Sequence, residues 1–163
     1  MNIGLRKKSR FIVEVSLLFS FVLLLGGCVK DKACVPKTVA SEQATMQAYA
    51  TANNMTVQAH PSGMLYQIVN AGNGATPNLA SMVSVRYTGK LMNGTIFDSR
   101  TTTPTEFVLG QVITGWQLGV PLIKKGGTVR LIIPSSLAYG CTATGPIPAD
   151  AVLYFEIELV DVR

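Results

Sequence analysis

A single histidine and three cysteines leave this 163-residue chain little from which to build a metal centre. His60 precedes Pro61 in a turn-like AHPSG stretch and has no Cys, His or acidic neighbour at ligand spacing, so no metal site is expected. Charge is scarce as well, at 14% of residues. Of the 14 basic and nine acidic residues, Arg6, Lys7, Lys8, Arg10 and Glu14 fall in the first 27 positions, which leaves ten against eight. The remainder is close to neutral, with no basic patch for nucleic acid and no charge run for an anionic partner. Long hydrophobic runs are missing too: Val15 to Leu25 is shorter than the ~20 residues needed to span a bilayer core. Tryptophan occurs once, as Trp116 in FVLGQVITGW.

What the N-terminus does contain is a positive segment followed by an apolar run, the order of a secretory signal. It resembles a bacterial lipoprotein signal, with Leu25, Gly26 and Gly27 ahead of Cys28 as the lipidated residue. Residues 1–27 then read as signal peptide and 28–40 as a flexible tether. Val29 does not resemble an inner-membrane retention signal, which points to the outer membrane, facing the periplasm or the surface. Cys34 in the tether and Cys141 in a distant loop are expected to be unpaired thiols.

Residues 41–61 read as a short helix and linker. SEQATMQAYATANN lacks Gly and Pro, and Ser41 is the candidate N-cap. From residue 62 to 163 the pattern is that of strands. Val83, Val85 and Tyr87 fall on one face of their run; so do Val129, Leu131 and Ile133, and so do Leu153, Phe155, Ile157 and Leu159, with Tyr154, Glu156 and Glu158 opposite. With MLYQIVNAG these make four alternating runs ended by Gly or Pro, a mainly antiparallel sheet with one buried face. One helix is expected after Gly115, held to about two turns by Pro121. The fold class is α+β around a single core.

Five aromatic residues sit at strand ends or in apolar loops: Tyr87, Phe97, Trp116, Tyr139 and Phe155. With Val112 and Ile113 they can line an apolar pocket with few polar handles, or they can simply fill the core. Spacing alone leaves both readings open.

The segments VRYTG, GTIFDS, FVLGQVITGW, GGTVRLIIPSSLAYG and AVLYFEIEL, in this order, resemble the FKBP family of peptidyl-prolyl cis/trans isomerases over roughly residues 62–163. The resemblance implies a curved antiparallel sheet wrapped around one short helix, with a short N-terminal helical extension as in bacterial extracytoplasmic members. It implies a proline pocket with Trp116 as its floor and Tyr87, Phe97, Asp98, Tyr139 and Phe155 around it. Val112, Ile113 and Ile147 would contact substrate, the Ile113 N–H and Tyr139 hydroxyl would hold carbonyls, and Asp98 would accept from Tyr87 or interact with the twisted carbonyl. The partners implied are proline-containing polypeptides and rapamycin-type macrolides, with membrane attachment through Cys28, and no cofactor is needed. A noncatalytic proline-segment binder or holdase on the same fold is the alternative. The chain departs from the family pattern at Thr105, where familiar members carry another pocket phenylalanine, and at Cys141 beside the pocket.

Overall fold

The computed structural model describes residues 34–163; the signal segment, Cys28 and the first part of the tether lie outside the described residues. Helix α1 (Val39–Ala52) leads into strands β1 (Gln58–Ala59), β2 (Leu65–Asn70), β3 (Met82–Leu91) and β4 (Ile96–Val108). Helix α2 (Thr114–Gly119), β5 (Thr128–Ile133) and β6 (Leu153–Val162) follow. The six strands form one antiparallel sheet in the order β1-β2-β5-β6-β3-β4.

The inner face carries the apolar residues that alternation assigned to it. Val83, Val85 and Tyr87, Val129, Leu131 and Ile133, and Leu153 to Leu159 at every second position are all buried in one cluster with Trp116 of α2. Helix α2 lies against β5 at a separation only glycine allows. A Cβ on Gly115 would meet Ile133 Cγ2 at 2.5 Å, and one on Gly119 would meet Leu131 Cδ1 at 2.5 Å. Its short length follows from Pro121, which falls in the 3-10 turn Val120–Leu122 where the helix ends.

Three features depart from expectation. The segment between Phe97 and Phe107, outside the four alternating runs, is the long edge strand β4. Its register slips between the pairs Val85–Thr105 and Tyr87–Arg100, so residues 101–104 lie opposite Arg86 alone. A bulge of polar residues with Pro104 on a sheet edge breaks the alternation by which strands are read.

The second departure concerns the outer face, which is not wholly exposed. Met46, Tyr49 and Ala50 of α1 pack on Leu65, Ile132, Val152 and Tyr154, so Tyr154 is only 7% exposed although its neighbours Glu156 and Glu158 reach solvent. The Tyr49 and Tyr154 rings lie 5.3 Å apart. The helix starts three residues early, at Val39, with Thr38 rather than Ser41 as its cap; the Thr38 side chain accepts from the Ser41 N–H.

Third, Cys34 and Cys141 are joined in a disulfide, with Cα atoms 5.6 Å apart, inside the range such a bond requires. The expectation of free thiols fails because the chain before α1 folds back across the loop after β5. Pro36 passes so near Gly140 that a Cβ there would touch it at 3.9 Å.

Candidate functional site

The inner face of the sheet, the start of α2 and the loops at one end enclose a cavity of about 290 Å³. It is lined by Tyr87, Phe97, Asp98, Phe107, Gln111, Val112, Ile113, Trp116, Tyr139 and Phe155. Trp116 stands at its base, 4% exposed, and three rings meet the indole nearly edge-on. Tyr87 lies at 5.1 Å and 83°, Phe155 at 5.3 Å and 87°, and Phe107 at 5.9 Å and 88°. Edge-to-face contacts of this kind lock ring orientations, because the positive rim of one ring meets the negative face of another.

The side wall is Phe97, set edge-on to Phe155 at 5.5 Å. Both rings lie over Gly89 of β3, where a Cβ would come within 2.6 Å of Phe97 and 2.8 Å of Phe155. A larger residue there would push the wall into the cavity. Phe107 was missed in the sequence because it lies on a strand outside the four alternating runs; its partner Val83 faces the core and so does it.

Polar groups are few. The Tyr87 hydroxyl donates to Asp98 Oδ2 at 2.5 Å. Desolvation, then the hydrogen bond to Asp98 and its charge, push the Tyr87 phenol well above its ordinary range, so it stays a donor at neutral pH. Asp98 Oδ1 accepts from the Ser99 N–H at 2.8 Å and faces Arg100 Nη1 at 3.5 Å. The Arg100 side chain is exposed and donates at 2.8 Å to the Ser99 carbonyl, so it is a loose partner for the acid.

On the other side, the Ile113 carbonyl accepts from the N–H groups of Trp116 and Gln117 at the start of α2, while the Ile113 N–H donates to no backbone carbonyl among the described residues. Gln117 Nε2 donates to the carbonyls of Val112 at 2.7 Å and Gly110 at 3.2 Å, fixing the strip that presents Ile113. That residue and Gln111 carried no pattern by which sequence could have singled them out. Tyr139 stands at the rim, 38% exposed. Ile147 does not line the cavity. It is a buried core residue that bridges Thr144 through paired backbone hydrogen bonds and supports the loop below Tyr139.

Another concavity of about 190 Å³ on the outer face has charged and hydroxyl walls, among them Arg86, Thr128, Glu156 and Glu158, and no comparable apolar floor. Residues 74–160 match the family model described as FKBP-type peptidyl-prolyl cis-trans isomerase. The chain belongs to this family. It is 41% identical over 136 residues to the FKBP-type peptidyl-prolyl cis-trans isomerase FkpA of Aeromonas hydrophila, covering 81% of this chain and 51% of that protein. It is 42% identical over 106 residues to the outer membrane protein MIP of Legionella longbeachae, covering 63% of this chain and 46% of that one. The chain thus spans about half the length of these curated relatives. The crystal structure of a peptidyl-prolyl cis-trans isomerase from Pseudomonas syringae pv. tomato superposes with a TM-score of 0.67 at 35% identity, covering 77% of this chain and 92% of that one. The FKBP-type domain therefore accounts for the antiparallel sheet and the helix that crosses it.

Proposed function

We propose that this FKBP-type chain catalyses cis/trans rotation about X-Pro bonds in polypeptides outside the cytoplasm. The observation that carries the reading is the apolar cavity with Trp116 as its base, walled by rings whose orientations are fixed by edge-on contacts. A cavity of about 290 Å³ has room for a pyrrolidine ring and its flanking bonds.

The barrier to rotation, about 18 to 20 kcal/mol, is the resonance of the planar amide. At the twisted geometry the proline nitrogen has withdrawn its electron pair from the carbonyl, and the amide is less charge-separated than when planar. Apolar walls formed by Trp116, Phe97, Phe155, Val112 and Ile113 solvate the planar, more dipolar form less well than water does. They therefore favour the twisted state relative to the ground state, which is the differential binding that catalysis requires. The Ile113 N–H and the Tyr139 hydroxyl hold the flanking carbonyls. Tyr87 orients Asp98 toward the same end of the cavity, and no proton is transferred. A rapamycin-type macrolide with a proline-like ring would compete for the site.

Three observations support this location: the leader ending at Cys28, which reads as a lipidation site; the Cys34–Cys141 disulfide, a bond that persists in oxidising compartments; and the similarity to a protein named for the outer membrane. The test is a refolding assay limited by X-Pro isomerisation, with the full chain purified in detergent. Acceleration suppressed by the macrolide is the expected result. A folded protein that binds a proline peptide and leaves refolding at its uncatalysed rate would instead be a binding module.

A further inference from the structure

Tyr139 lies between two points at which the segment before and at the start of α1 is fastened to its loop. Before it in sequence, the backbone N–H of Ser135 donates at 2.8 Å to Glu42 Oε2, and Glu42 is a 3% exposed carboxylate on the first turn of α1. After it, Cys141 is bonded to Cys34. Pro36 crosses Gly140 between these two anchors. Within the loop itself, the Ser135 carbonyl accepts from Gly140 N–H at 2.8 Å and from Ala138 N–H at 2.9 Å, closing a tight turn around Tyr139. On the cavity side the Tyr139 hydroxyl makes no hydrogen bond among the described residues, and the ring stands at the solvent rim.

A buried glutamate is an expensive way to fasten a helix to a sheet, because the charge must be taken out of water and only one oxygen is partnered here. The core under α1 is already apolar, with Met46, Ala50 and Ile132 fully buried. The hydrogen bond to Ser135 and the covalent bond to Cys141 instead share one target, the short loop that carries Tyr139.

We propose that residues 34–42 are a positioning element for Tyr139, and that the Cys34–Cys141 bond makes this positioning sensitive to redox conditions. Tyr139 touches the substrate in the reading given above, on which this proposal rests; Cys34, Cys141 and Glu42 act through it. A dithiol reductant attacks one sulfur of the bond to give a mixed disulfide, and its second thiol then releases the protein. Two electrons and two protons pass to Cys34 and Cys141, and the reductant leaves as its own disulfide. The loop then keeps the Glu42 anchor at Ser135 and the hydrogen bond from the Asp150 N–H to the Gly140 carbonyl at 2.8 Å, and Tyr139 samples a wider range of positions.

The test uses the full chain in detergent, oxidised or treated with dithiothreitol, with proline-peptide turnover and macrolide binding read separately. Reduction raises KM and weakens macrolide binding roughly two- to tenfold, the cost of one hydrogen bond made less often, while far-ultraviolet circular dichroism is unchanged. Cys34→Ser reproduces the reduced state and no longer responds to dithiothreitol. Glu42→Ala adds to it, whereas Glu42→Gln behaves as the parent because its amide oxygen still accepts from Ser135. The decisive arm is Tyr139→Phe, in which reduction should have no further effect on binding, since two changes acting through one contact are not additive. An equal effect of reduction with and without the Tyr139 hydroxyl overturns the proposal, as does no effect in the parent. If the oxidised parent gives no turnover, the isomerase reading fails, and the macrolide arm still decides the positioning role.

Discussion

Tyr87 and Asp98 face each other diagonally across β3 and β4, and the phenol of the first reaches Oδ2 of the second at 2.5 Å. The pair joins the buried floor of the cavity to its rim, because Tyr87 also packs edge-on with Trp116 while the Asp98 side chain is close to half exposed.

That hydrogen bond and the burial behind it have a consequence at high pH. The phenols of Tyr87 and Tyr154 are both held well above the ordinary value, first by desolvation and then by a carboxylate neighbour, Asp98 in one case and Glu156 in the other. A group whose folded-state pKa is raised binds its proton more tightly when folded. Its contribution to stability is complete below the ordinary phenol value of about 10 and is lost as pH climbs above it. Denaturant midpoints should therefore fall beyond about pH 10. Tyr87→Phe and Tyr154→Phe should each make the decline shallower, and a slope unchanged in the double variant contradicts this assignment.

Trp116→Leu keeps the base apolar but leaves part of it empty. The sheet should remain folded with a stability loss of about 1 to 3 kcal/mol, while peptide turnover and macrolide binding fall far more than that loss accounts for. A loss of stability with turnover intact would make Trp116 a core residue only.

Tyr139→Phe removes a donor and no wall. Turnover should drop by the equivalent of one hydrogen bond, about 0.5 to 1.5 kcal/mol, and thermal stability should stay level because the ring is at the rim. Intrinsic fluorescence from the single indole gives an independent measure of binding in this variant.

Cys28→Ser should abolish incorporation of labelled palmitate and shift the protein out of the membrane fraction or leave its signal uncleaved. Equal labelling in the variant would remove the lipid anchor from this account.

The sequence was most informative where burial follows a strict period of two. Val83, Val85 and Tyr87, and the series Leu153, Phe155, Ile157, Leu159, could be placed on the inner face because they alternate strictly with outward residues, and β3 and β6 bring them together in register, Val85 opposite Leu159 and Tyr87 opposite Ile157. It was least informative where a second constraint overrides the period. Tyr154 alternates with buried residues and is still buried, since α1 comes from far away in the chain to cover it. Phe107 went unseen because the bulge at residues 101–104 shifts the phase of β4. Cys34 and Cys141 are separated by 107 positions, and only the path of the chain over Gly140 brings them together. The pocket residues on β3, α2 and β6 were legible through the family resemblance. Gln117 was not, because its task is set by the curvature of a loop rather than by any local pattern.

Mechanics supplies another view of the Cys34–Cys141 bond. Tension applied at residue 34 and at the C-terminus does not run through α1, β1 to β5 or α2, all of which lie within the covalently closed stretch 34–141. It passes across the sulfur bridge and into residues 141–163, whose one strand, β6, sits between β5 and β3. The resistance of the domain to stretching is thus concentrated in the two hydrogen-bonded ladders of β6. The contour released in a single-molecule pulling experiment is that of residues 141–163 until the bridge is reduced, when the whole of 34–163 becomes extensible.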